Sequence, residues 1–359
     1  MRRSSKLALS VAALVSAFGL AACSGGAGPT TPAGSPEGSP PAGETAKPAN
    51  LVVGVSNTLA GNGWRETMIC SIKAQALASG QVEKVVVISK NGGPTEQIQD
   101  LQNLISQGVN VIIVNPSDPE KLNDVIKEAT DRGITVIAVD SAVTAESAYV
   151  VTNDQTKWGE LGAQWIADQI DGKGKVLYMR GIEGVQADTD RDVGFTSVMK
   201  NYPDIEYKTV WTGWDYTKGG EIALQEFSAT DYDAVWTTGA DFTVVNAIEA
   251  AGKPLVPVTG QDSNEFLNQL INGAPGAVVT NPAVIGGVGM TVALQAINGE
   301  NPDKLTMLTP QLWDAENNME QLKKYHMPDL DGTTSVAIDV PPFTTYTPEQ
   351  LWACKGPGE

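Results

Sequence analysis

Acids, guanidinium groups, amides and tryptophans recur at short Gly- or Pro-flanked turns of this chain, in combinations suited to holding a polar molecule. The segments are Gly61-Asn62-Gly63-Trp64-Arg65, Asp140-Ser141, Asp188 to Arg191, Gly213-Trp214-Asp215, Ala240-Asp241, Gln261-Asp262 and Thr280-Asn281-Pro282. A carboxylate accepts from adjacent donors, a guanidinium fork donates in a fixed plane, and an aromatic ring covers an apolar face. Bond-breaking chemistry finds less support. His326 is the single histidine, whereas His-ligated metal centres and most His-based acid/base sites need several histidines or a paired nucleophile. No Ser or Cys elbow and no HExxH pattern occurs. A hydrolase using carboxylates alone stays open, with no acid singled out for it.

Two motif-like stretches lead nowhere. Asp188-Thr189-Asp190-Arg191-Asp192 looks like a calcium loop, but Val193 stands where Gly is needed and Met199 where a bidentate acid is needed. Gly286-Gly287-Val288-Gly289 lacks the spacing and preceding strand of a dinucleotide fingerprint and reads as close helix packing. Neither a metal nor a cofactor is expected.

The elements that must position the turns alternate short β-branched runs with longer amphipathic stretches, the pattern of βαβ units and parallel sheets. Strands are expected at 51–56, 85–89, 109–115 and 134–140, with helices at 64–79, 95–107 and 119–131, the last opening on Pro119. A second series has strands at 149–152, 175–179, 205–210, 234–238, 256–259 and 277–280 and helices at 157–169, 190–200, 218–227, 242–251 and 265–271. A helix at 285–297 and strands near Leu305 and Val336 complete it. Some three hundred residues exceed one ordinary core of this type, so two α/β lobes are expected. Ligands of open parallel sheets sit beyond the carboxyl ends of the strands, where the polar turns lie. Trp64 and Trp214 stand at such turns, whereas Trp158, Trp165, Trp211, Trp236, Trp313 and Trp352 read as packing residues.

The first 22 residues carry Arg2, Arg3 and Lys6 ahead of an apolar run, 7–22, too short to span a bilayer comfortably. Leu20-Ala21-Ala22-Cys23 resembles a bacterial lipobox, so Cys23 is expected to be lipidated and to begin the mature protein, anchoring it outside the cytoplasm. Residues 23–50 are Gly-, Pro- and Ser-rich and read as a disordered tether, reaching on the order of 30 Å. Of 24 Lys+Arg, the three in the leader would be lost, leaving 21 against 42 Asp+Glu, a formal charge of −21. Such a surface disfavours nucleic acid and anionic lipid. Cys70 and Cys354 remain, and an even pair in an exported chain suggests a disulfide, although spacing alone leaves it open.

Over residues 51–340 the chain resembles the type I, ribose-binding-like sugar-binding proteins of bacterial ABC importers. The resemblance rests on the order of Val114-Asn115-Pro116-Ser117-Asp118, Val136-Ile137-Ala138-Val139-Asp140, Gly181-Ile182-Glu183-Gly184 with Arg191 and Gly194-Phe195, Gly260-Gln261-Asp262, and Thr280-Asn281-Pro282 before Gly286. It implies an α/β fold of two doubly wound parallel-sheet lobes joined by a three-crossing hinge. The N-terminal lobe would be 51–153 plus 281–333 and the C-terminal lobe 154–280 plus 334–359. The hinge would lie near Asn153-Asp154, Thr280-Asn281 and the strand around Val336. A Cys70–Cys354 bridge would then need the tail to return across the hinge.

The same resemblance implies a monomeric protein that captures a monosaccharide or polyol between its lobes and delivers it to a membrane permease. A sensor presenting its loaded form to a receptor kinase is the alternative. Trp64 and Arg65 fall where the family has an aromatic pair, Asp140 and Arg191 where it grips sugar hydroxyls, Trp214 at a stacking position, and Asp262 at another acid. Asn62 and Asn281 are amide contacts in this reading. Ser141 stands where many members have Arg, and Ala240 precedes Asp241 where they have Asn, which argues against strict ribose specificity. Gly63-Trp64-Arg65 is similar to a subset taking other sugars, including furanose hexoses.

Overall fold

The computed structural model describes residues 47–359; the expected signal segment, Cys23 and nearly all of the expected tether lie outside the described residues. The first lobe opens as β1 (Leu51–Asn57), α1 (Gly63–Ser79), β2 (Val82–Ser89), α2 (Pro94–Ser106), β3 (Val111–Val114), α3 (Asn123–Asp131), β4 (Thr135–Asp140) and β5 (Tyr149–Asn153). The second runs α4 (Gln155–Gln169), β6 (Lys173–Arg180), α5 (Gln186–Met199), β7 (Asp204–Trp211), α6 (Tyr216–Ala229), β8 (Ala234–Thr237), α7 (Asp241–Ala250), β9 (Val258–Gly260), α8 (Asn264–Ile271) and β10 (Gly276–Val279). α9 (Ile285–Ile297) and β11 (Leu305–Leu308) return to lobe one. β12 (Leu312–Asp314) and α10 (Met319–Tyr325) belong to lobe two, and α11 (Pro348–Ala353) ends the chain.

Each lobe is a six-stranded sheet, ordered β11-β5-β4-β3-β1-β2 in lobe one and β12-β10-β9-β8-β6-β7 in lobe two. All neighbours are parallel except β10 and β12. In both sheets the order reverses beside the first strand of the series, which opens a crevice at the strands' carboxyl ends. The central strands are fully buried, as helices on both faces require. Val53, Val55, Ile113 and Val139 pack on α1 and α9, while Ile112, Val114 and Ala138 pack on α2 and α3. Helices α4 and α5 touch backbone to backbone: a side chain on Gly159 would collide with the Arg191 carbonyl, and one on Gly194 with the Thr156 carbonyl. That contact sets Arg191 beside the start of α4.

The hinge differs from expectation. The chain passes between lobes at 153–155, at 280–285 and at 308–312, and then a fourth time at 337–340. The third crossing lies between β11 and β12, so residues 312–333 belong to lobe two, not lobe one. Around Val336 there is no strand; Ser335 forms only an isolated bridge with Ser263. Residues 340–359 belong to lobe one, not lobe two. Val340 and Phe343 pack on the lobe-one core, Thr291 Oγ1 donates to the Phe343 carbonyl, and Gln75 exchanges bonds with Thr345.

Cys70 of α1 and Cys354, just after α11, form a disulfide with Cα atoms 4.5 Å apart. Both partners sit on lobe one, so the bridge fastens the tail to α1 and does not tie one lobe to the other. Pro119 precedes α3 by a turn instead of opening it, and α11 is an element the sequence reading lacked. No helix among the described residues is long and apolar enough to cross a membrane.

Candidate ligand-binding site

The crevices of the two lobes face each other across a narrow cavity of about 30 Å³, lined by residues of both lobes. Seven of the ten expected residues line it: Asn62, Trp64, Arg65 and Asp140 from lobe one, Arg191 and Trp214 from lobe two, and Asn281 from the second crossing.

The start of α1 supplies three of these side chains. Asn62 caps the helix by accepting from the Arg65 main-chain N–H at 3.1 Å, and its side-chain amide donates across the cleft to the Trp214 carbonyl at 3.0 Å. Trp64 Nε1 donates to the Asn281 carbonyl at 2.6 Å, which leaves the ring as a wall. Arg65 is held from behind by Asn57 Oδ1 at 2.8 Å, with its Cζ 5.9 Å from the Trp214 ring centre.

Trp214 stands in the left-handed region at φ 56°, directly after Gly213 at φ 69°. This backbone is costly for a bulky side chain and tends to persist where function demands it. Its indole lies against Gly181, where any side chain would overlap the ring, and Nε1 donates to Thr238 Oγ1 at 3.1 Å. Asp140, at the end of β4, is left-handed too, at φ 67°.

A residue outside the sequence-expected set organises the charges. Gln155, the first residue of α4 after the first crossing, accepts from Arg191 Nε at 2.8 Å. Its amide donates to Asp140 Oδ1 at 3.1 Å and to Asn281 Oδ1 at 3.3 Å. Arg191 also lies 4.4 Å above the Trp158 ring, and Trp158 is fixed by its bond to the Val279 carbonyl. Trp158 is therefore a core residue, as expected, that also seats the guanidinium. Asp188 and Asp192 make their ion pairs with Arg180, at 2.6 and 3.2 Å, and not with Arg191.

What remains exposed to the cavity is chemically specific. Arg191 lines the cavity while only 2% exposed, and its buried Nη1 has no hydrogen-bond partner among the described residues. Burial pushes the Asp140 carboxyl above its ordinary range, with Arg191 and Arg65 opposing. It lowers both guanidinium groups, with Asp140 the largest opposing influence on each. Burial, together with the charge of Asp241, raises the Tyr216 hydroxyl, so it remains a neutral donor and acceptor.

Tyr216, Gly239 and Gln261 complete the lining and were missed. Tyr216 opens α6 two residues after Trp214, and Gln261 directly precedes Asp262, so adjacency to named residues was the available signal. Three expected residues do not line this cavity. Ser141 is buried in the turn after β4. Asp241 holds the loop after β9, accepting from Gln261 N at 2.9 Å and Ser263 Oγ at 2.6 Å. Asp262 binds Asn281 N, Ser335 Oγ and Ala337 N. Asp241 and Asp262 border only a smaller void behind Tyr216. No cluster of metal-ligating side chains occurs among the described residues.

A twin-lobed α/β fold with a polar, aromatic-walled cavity between lobes defines a solute-binding protein. A family profile described as a periplasmic binding protein domain matches residues 53–301, and the chain belongs to that family, in its type I form. It is 25% identical to the ribose import binding protein of Bacillus subtilis over 270 residues, 72% of this chain and 88% of that one. It is also 25% identical to a galactofuranose-binding protein of Escherichia coli over 294 residues, 77% and 92% of the two chains. An ABC transporter solute-binding protein of Bacillus halodurans, solved with bound myo-inositol, superposes with a TM-score of 0.70 at 26% identity, covering 78% of this chain and all of that one. These relatives are solute-binding proteins, not enzymes, and their family works outside the cytoplasm.

Proposed function

We propose that the protein captures a monosaccharide or polyol between its lobes and delivers it to an ABC-type permease, while lipid on Cys23 holds it at the membrane. The observation that carries this reading is the meeting of Asp140, Arg191, Arg65, Asn62 and Asn281 with two tryptophans in one small cavity supplied by both lobes. A polyhydroxylated ligand offers donors to Asp140 and acceptors to Arg191 Nη1, while its C–H faces suit Trp64 and Trp214. Ligand bonds from both lobes are made together only when the lobes meet, so binding favours closure, and a permease can read the closed form.

Ribose, galactofuranose and myo-inositol, the ligands named for the relatives, share this chemistry and support the class. Ser141 and Ala240, at positions where many ribose-type members carry Arg and Asn, favour a ligand other than ribose. Isothermal titration with pentoses, furanose-populating hexoses and polyols tests the proposal. Saturable binding to one of them is expected, and no binding across the panel would overturn it.

A further inference from the structure

Asp262 is 0% exposed and makes four bonds to segments that leave lobe two. Oδ1 accepts from Asn281 N at 2.8 Å, on the second crossing. Oδ2 accepts from Ser335 Oγ at 2.6 Å and Ala337 N at 3.1 Å, at the fourth. The Asp262 carbonyl accepts from Val336 N at 3.0 Å. Ser335 Oγ in turn accepts from Ala283 N at 3.3 Å, joining the second crossing to the segment that leads into the fourth.

We infer that Asp262 is a positioning residue of the hinge, fastening the second and fourth crossings to lobe two as a pair so that they bend together. Three donors converge on one carboxylate, an arrangement only an anion satisfies, because an amide would turn an N–H₂ toward N–H or O–H groups. The pairing reaches the cavity through Asn281. Its carbonyl receives Trp64 Nε1, and its Oδ1 receives the amides of Asn153 and Gln155 at 3.2 and 3.3 Å. A shift of Asn281 therefore moves the lobe-one aromatic wall and the Gln155 bridge to Arg191 together. The bending points fall just beyond the clasp, at residues 282–284 and 338–340.

The inference rests on the proposed closing motion but not on the ligand's identity, so its test uses protein stripped of ligand. Hydrogen–deuterium exchange is compared for the wild type, Asp262→Asn and Ser335→Ala, alongside calorimetric melting. Asp262→Asn is expected to speed exchange at 281–285 and at 335–339 together, about tenfold or more, with the lobe cores unchanged. Ser335→Ala, which keeps the carboxylate, should do the same more weakly and serves if Asp262→Asn does not fold. Unchanged exchange at either crossing would overturn the inference, as would a uniform rise across both lobes that tracks a lower melting temperature. Altered sugar selectivity with hinge exchange unchanged would make Asp262 a ligand contact instead.

Discussion

The side-chain amide of Asn62 spans the cleft to the main-chain carbonyl of Trp214 at 3.0 Å, while its oxygen caps α1. One residue thus starts the helix that presents Trp64 and Arg65 and touches the opposite lobe. Asn62→Asp should keep the cap and lose the donor: sugar affinity is expected to fall about tenfold with little change in melting temperature. Asn62→Ala should lose both, with about 1 kcal/mol of stability removed as well. Titration and thermal melting of the two variants separate the roles.

Asp140 faces two buried guanidinium groups. Asp140→Ala would remove the largest opposing charge from both, and a lower melting temperature is expected together with weaker binding. Asp140→Asn tolerates the left-handed backbone better and keeps an acceptor, so it is the cleaner binding variant. Its affinity should fall by about a hundredfold, measured against a wild type of equal melting temperature.

Burial holds the Asp140 carboxyl above its ordinary value. Between the ordinary and the raised value the native chain therefore binds more protons than the unfolded one, so this group's contribution to stability declines as pH rises through that window. Binding has the opposite sign. A ligand that needs the carboxylate should bind more weakly as pH falls through the raised value, and Asp140→Asn should flatten that dependence in titrations across acidic pH.

Gln155→Leu should free the Arg191 guanidinium from its bridge while leaving its seat on Trp158. Affinity is expected to drop about tenfold or more, chiefly through faster ligand release, readable by stopped-flow tryptophan fluorescence. Retention of wild-type release kinetics would count against Gln155 as the residue that orients Arg191.

The Cys70–Cys354 bridge joins two lobe-one segments and closes a loop that runs through lobe two. Cys70→Ser with Cys354→Ser should lower stability by about 2–4 kcal/mol and leave sugar affinity nearly unchanged, because neither sulfur couples the lobes. Thiol counting on unfolded, non-reduced protein lacking Cys23 should find no free thiol.

Much of this was legible in the sequence where one physical requirement dominated. Runs such as 51–56 and 134–140 must be apolar on both faces, and they announced themselves as central strands. The Gly-flanked tryptophans stood out because neither sits in a periodic apolar stretch, although Trp64 also packs on the lobe-one core. The third crossing was not visible, since β12 is three residues long and antiparallel, too short for a periodic pattern. The tail helix did carry a signal, Thr347-Pro348 with Gln350 in capping-box spacing, that was not used. Asp241 and Asp262 share residue type and strand-end position with Asp140. Only the partners of each carboxylate, fixed by residues 19 to 75 positions away, distinguish the loop-holding acids from the one facing the cavity.

Because the fourth crossing brings the tail home, Leu51 and Glu359 belong to the same lobe, with Glu359 paired to Lys73 of α1. Fluorophores placed beside these two residues would therefore report a constant separation whatever the occupancy of the cavity. A sensor built on this scaffold needs one of its probes inserted in the loops of lobe two.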